Sequence, residues 1–201
     1  MMMNKGFLDE VLTGHNSNQI WEQLDRMRGR LSLGDAFKSL LDQGENLNIC
    51  EVASVLSNLP EYSGGCVLSL NLTRFIAQYL RGRAVKSLLD PFGGSGLVAA
   101  MLARHCECSK ADVVTRQPLA AKIYQACGVS SPKLHLGMFE DHKAGLLSQY
   151  DAIVVTDVGT SSRGRKTFQT ANGMVDVADS SLLLLLLESS HHLSPNGVMI
   201  G

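Results

Sequence analysis

The run Leu88-Leu89-Asp90-Pro91-Phe92-Gly93-Gly94-Ser95-Gly96 decides the fold of this chain. An apolar strand, Val85 to Leu89, enters an acidic residue and a glycine-rich turn, and a small-residue helix is predicted from Leu97 to His105. Glycines at such a turn let the backbone approach a ligand with no side chain in the way. The helix beyond offers unpaired N–H groups and the positive end of its dipole. This strand–turn–helix predicts a site for a nucleotide-like cofactor.

The turn chemistry narrows the choice of cofactor. A triphosphate-binding loop needs a lysine after its last glycine, and none follows here. A dinucleotide fingerprint can be read at Gly94, Gly96 and Ala99, but a pyrophosphate gains nothing from the anionic Asp90 at the mouth of the turn. S-adenosyl-L-methionine (SAM) carries a cationic amino group and a sulfonium, and a carboxylate suits both. A ligand-free tight turn would not require so particular a run as Asp90 to Gly96.

Asp90-Pro91-Phe92-Gly93-Gly94-Ser95-Gly96 resembles motif I of the SAM-dependent methyltransferases, in the form found in amino-methylating DNA methyltransferases. That group includes the N6-adenine methylases and the modification subunits of type I restriction systems. Upstream, Thr73 to Leu80 resembles the helix preceding motif I; downstream, Leu193 to Ile200 resembles the turn into the family's fifth strand. The likeness covers roughly residues 62–201. It implies that Asp90, Pro91, Phe92, Gly93, Gly94, Ser95 and Gly96 hold SAM.

Other implied positions are only partly kept. The family's ribose-binding acid at the end of strand two falls on Thr115, whose hydroxyl is a weaker partner than a carboxylate. For a nicotinamide-dependent enzyme, Asp112 has about the right separation for a ribose-binding acid but lies at the strand's start. The Gly-Asp pair after strand three reads Gly137-Met138, with Glu140 two residues on, and Leu119, Met138 and Phe139 are the expected apolar walls of an adenine pocket. The catalytic [DN]-P-P-[YF] motif after strand four is replaced by Asp157-Val158-Gly159-Thr160. Asp157 keeps the polar group that orients an acceptor amine, but the aromatic ring that stacks on a flipped base is missing. Such stacking contributes on the order of 1–3 kcal/mol.

The rest of the chain organises around this unit. Residues 1–61 read as a helical N-terminal region, with helices expected over Asn16–Leu31, from Leu33 or Gly34 to Leu41, and over Asn48–Leu56. Its clustered Arg26, Arg28 and Arg30 are best read as a solvated face. Residues 62–201 alternate strand and helix, which predicts an α/β, doubly wound, Rossmann-like parallel sheet. Expected strands are Val85–Leu89, Ala111–Thr115, Lys133–Leu136, Ala152–Thr156 and one starting at Val198; helices are expected at Pro118–Cys127 and Val177–His192. The ending at Gly201 reads as a fragment cut after the fifth strand.

Net charge is −1, so nucleic acid is not attracted by the molecule as a whole. A local basic stretch, Arg163, Arg165 and Lys166 in a hydroxyl-rich loop, is the candidate phosphate contact for DNA. Five cysteines without disulfide-like spacing point to a reducing compartment, hence a cytoplasmic protein, and Leu182 to Leu187 is far too short to span a membrane. His105-Cys106-Glu107-Cys108 lacks a second ligand pair at zinc spacing, so no metal is expected. His191-His192 reads as a helix end. Three readings follow: a DNA-adenine methylase core, a degenerate module kept for assembly with partner subunits in a restriction or defence system, and a nicotinamide-dependent enzyme.

Overall fold

The computed structural model describes residues 19–27, 29–44, 46–59, 70–156, 165–170, 173–178 and 188–201. Three helices come first: α1 (Gln19–Met27), α2 (Leu33–Gln43) and α3 (Ile49–Asn58). In α1, Ile20 and Leu24 lie one turn apart and are both buried. Helix α2 starts where Ser32 Oγ accepts the Asp35 N–H at 3.1 Å, and α3 where Asn48 Oδ1 accepts those of Cys50 and Glu51. These caps satisfy donors that the first helical turn leaves unpaired.

Helix α4 (Leu70–Arg81) leads into β1 (Ser87–Asp90), then α5 (Leu97–His105), β2 (Lys110–Thr115), α6 (Leu119–Ala126) and β3 (Lys133–Leu136). The short α7 (Phe139–His142) and a 3-10 turn at Lys143–Gly145 precede β4 (Tyr150–Val154). A hairpin of β5 (Arg165–Thr170) and β6 (Gly173–Ala178) and the strand β7 (Leu193–Ile200) follow.

The main sheet has the order β3-β2-β1-β4-β7, with every neighbouring pair parallel. The chain runs outward from β1 to β3, then crosses back to β4, so the order reverses between β1 and β4. Ligands of open parallel sheets bind at the carboxyl ends of the strands at such a reversal. Alternation along the strands sends Leu88, Val113, Ala152 and Val154 into one core shared with helices α1–α6. Leu89, Val114 and Ile153 face the other way, into a smaller core with Phe139 and Tyr150. The doubly wound parallel sheet expected from the alternating pattern is the fold observed.

Several expectations about the last third are corrected. Val177 and Ala178, expected to open a helix reaching His192, end β6, which pairs antiparallel with β5; the described helical residues before β7 are 188–190. Thr167, Phe168, Val175 and Val177 favour extended backbone, and Asn172-Gly173 between them is a hairpin signal. Arg165 and Lys166, expected in a loop, are the first residues of β5. The fifth strand begins at Leu193 rather than Val198. The expected turn at Ser194–Gly197 is absorbed as a shift of register against β4, between Tyr150↔Leu193 and Ala152↔Val198.

Candidate functional site at the reversal of strand order

Asp90 ends β1 with its side chain fully buried. Its Oδ1 accepts the Phe92 N–H at 3.1 Å, and its Oδ2 accepts the Thr156 hydroxyl at 2.5 Å. Thr156 lies two residues beyond β4, so this hydrogen bond joins the carboxyl ends of β1 and β4 across the reversal. In the sequence Thr156 reads only as the end of an apolar strand next to Asp157, with no sign of its bond to Asp90.

The turn after Asp90 has left-handed backbone at Gly94 (φ 48°) and Gly96 (φ 75°), conformations that glycine adopts without steric cost. Gly96 caps α5, and its carbonyl accepts the Tyr124 hydroxyl at 3.0 Å. A β-carbon at Gly96 would lie 2.7 Å from the Tyr124 ring, and one at Gly93 2.5 Å from Val113. Packing therefore demands these glycines, independently of any ligand. Burial, and then the Asp90 carboxylate, push the Tyr124 phenol well above its ordinary range, so it stays a neutral donor. Tyr124 is a second residue that sequence reasoning missed. Pro91, Gly93, Gly94, Ser95 and Gly96 are buried and Phe92 is partly exposed.

The remaining expected cofactor residues divide. Thr115 is buried at the end of β2, donates its hydroxyl to the Gly94 carbonyl at 2.6 Å, and accepts the Gln117 N–H at 3.1 Å. Its proton ties the glycine turn to β2. Met138 is 45% exposed at the start of α7, whereas Phe139 is 1% exposed and packs in the smaller core, its ring 6.1 Å from that of Phe92. Leu119 is partly buried against the larger core. Asp157 and Arg163 lie outside the described residues, directly after Thr156 and before β5.

Asp112, near the amino end of β2, belongs to a separate buried cluster. It accepts the Tyr150 hydroxyl at 2.7 Å and contacts His135 Nε2 at 2.8 Å. This arrangement holds β2, β3 and β4 together from below the crevice.

No family model matches the chain, and no curated protein does. Among solved structures it is similar to an S-adenosylhomocysteine-bound methyltransferase of Podospora anserina, with TM-score 0.52 and 18% identity over 83% of this chain and 67% of that one. An O-methyltransferase of Bacillus cereus in complex with the same product gives TM-score 0.42 and 14% identity, covering 60% of this chain and 55% of that one. Coclaurine N-methyltransferase bound to N-methylheliamine and S-adenosylhomocysteine gives TM-score 0.43 and 14% identity, covering 96% and 55%. The first likeness establishes the class of fold: the doubly wound, Rossmann-like sheet seen in that methyltransferase. No helix among the described residues is long and apolar enough to cross a membrane.

Proposed function

We propose that this chain is a SAM-dependent methyltransferase domain, of the kind that methylates the N6 amine of adenine in DNA. The observation that carries the reading is the buried Asp90 carboxylate bridged to Thr156 at the reversal, beside left-handed Gly94 and Gly96. An acceptor-only anion there suits a cationic amino group, and the amino end of α5 beyond it suits a carboxylate. An amino-acid zwitterion such as that of SAM has both. The Podospora neighbour's bound product, S-adenosylhomocysteine, supports the same cofactor.

Bound SAM supplies a methyl group already activated on a sulfonium. The protein's part is then mainly positioning. Asp90 and the glycine turn orient the amino-acid end, and Asp157, next in sequence to Thr156, holds the acceptor amine for in-line attack. Arg163, Arg165 and Lys166 hold phosphates of the substrate. Residues 62–201 carry this chemistry, and residues 1–61 serve as a helical appendage.

One observation favours a second reading, a non-catalytic module for assembly with partner subunits. The Thr115 hydroxyl, at the position that the resemblance gives to the ribose, already donates to the Gly94 carbonyl. Calorimetric titration of SAM and S-adenosylhomocysteine, with NAD as control, separates the readings. The expected result is saturable micromolar binding of SAM but not NAD, weakened about tenfold or more in Asp90→Ala, the loss anticipated for a charge-assisted hydrogen bond. A folded protein that binds neither SAM nor its product is the module.

A further inference from the structure

We infer that the outer face of α4 is a docking surface for single-stranded nucleic acid, distinct from the crevice at Asp90. It names the form of nucleic acid bound and rests only on the nucleic-acid side of the proposed function. Helix α4 buries Thr73, Ile76, Ala77 and Leu80 on one face. Its other face presents Leu72 (44% exposed), Phe75 (67%) and Tyr79 (43%), at i, i+3 and i+7. These are three of the six large apolar side chains exposed among the described residues, gathered on a single helix. Such a concentration marks an interaction surface rather than scattered surface apolarity.

The charge of the segment that carries the stripe, with Arg83 at the stripe itself, selects its occupant. Between Glu61 and Asp90 the chain has four cations, Arg74, Arg81, Arg83 and Lys86, and no carboxylate, in a protein of net charge −1. Asp151, which reaches this region, accepts the N–H groups of Lys86 and Ser87 and the Ser87 hydroxyl. The Arg83 guanidinium lies over the Tyr79 ring, 4.6 Å from its centroid. Stacking orients the guanidinium while leaving its donors available in its own plane. A second copy of this chain would bring the same arginines to the contact and no carboxylate from this segment. A single-stranded nucleic acid matches both features: a phosphate meets the Arg83 guanidinium and the bases stack on Phe75 and Tyr79.

From Leu72 to Arg83 the surface extends about 16 Å, at the helical rise per residue. It joins β1 through residues 82–86, so its Arg83 end lies beside the amino end of the sheet, away from the crevice. It acts as a track outside the site and contains none of the residues placed in it.

Fluorescence anisotropy of a labelled single-stranded oligodeoxynucleotide of mixed sequence, titrated with the full chain in the absence of SAM, tests this. Phe75→Ala and Tyr79→Ala should each weaken binding about fivefold or more, Phe75→Trp should retain it, and Arg83→Ala should lower the slope of log affinity against log salt by about one. Circular dichroism of the variants checks folding. The inference is overturned by a wild-type chain that does not bind, or by alanine variants that bind as wild type does. Equal competition by duplex of the same sequence, or by an acidic polypeptide, overturns it too, since the face would then read only negative charge. Because no SAM is present, the result is independent of the cofactor titration.

Discussion

Gly96 has a backbone duty and a packing duty at once. Its φ of 75° is a region where a β-carbon meets its own backbone, and the place that carbon would occupy is filled by the Tyr124 ring. Gly96→Ala must shift the ring and weaken the Tyr124 hydroxyl bond to the Gly96 carbonyl. The expected cost is roughly 2 kcal/mol or more, read as a fall in Tm of about 5 °C for a chain of this size. An unchanged Tm would mean that the turn relaxes freely and that Tyr124 does not buttress it. From the sequence, the glycine turn is legible as a place of close approach; that a tyrosine packed there enforces one of its glycines is not.

Among the elements, β1 and β4 are tied at both ends. Thr156 and Asp90 join the carboxyl ends, while at the amino ends Asp151 Oδ2 accepts the N–H groups of Lys86 and Ser87 and the Ser87 hydroxyl, each at 2.9 Å. Burial acts to raise the Asp151 carboxyl, but these donors outweigh it and hold it below its ordinary value. A carboxyl lowered in the folded state contributes stability that is present above its unfolded value and lost as pH falls through its folded one. Asp151→Asn should therefore destabilise the protein most at neutral pH. The gap to wild type should close as the pH drops below the usual carboxylate range, as followed by urea unfolding across pH. A gap independent of pH would assign the effect to packing alone. Element bounds were legible where local chemistry sets them, as for Leu97–His105 behind its glycine turn and for Lys133–Leu136. The β5–β6 hairpin is not legible in that way: the charge of Arg165 and Lys166 reads as a loop and Val177 and Ala178 as the start of a helix, whereas its signal lies in the Asn172-Gly173 pair between extended-favouring residues.

For the whole molecule, the larger core runs from Ile20 in α1 to Val154 in β4, so the N-terminal helices and the sheet share buried surface. Four thiols lie in or against it. Burial pushes Cys50 and Cys106 up to about 11, and Cys108 and Cys127 up to about 12. Since the thiolate is the reactive form, iodoacetamide at slightly alkaline pH should alkylate these four at least about a hundredfold more slowly in the native protein than after unfolding. Site-resolved mass spectrometry gives the rates, and fast native labelling at Cys127 or Cys50 would show the N-terminal helices opening from the sheet.

What the sequence alone determined is what depends on near neighbours: apolar strands alternating with helices, which call for a parallel sheet, and a glycine run that only a strand-to-helix turn accommodates. The tertiary structure decided which polar groups those elements bring together. Thr115 meets Gly94 across 21 residues of chain, and Thr156 meets Asp90 across 66. It also decided that Phe139 lies in the core while its neighbour Met138 faces solvent. Those pairings depend on the strand order and register of the folded sheet, which bring distant segments within hydrogen-bonding range, and no local pattern encodes them.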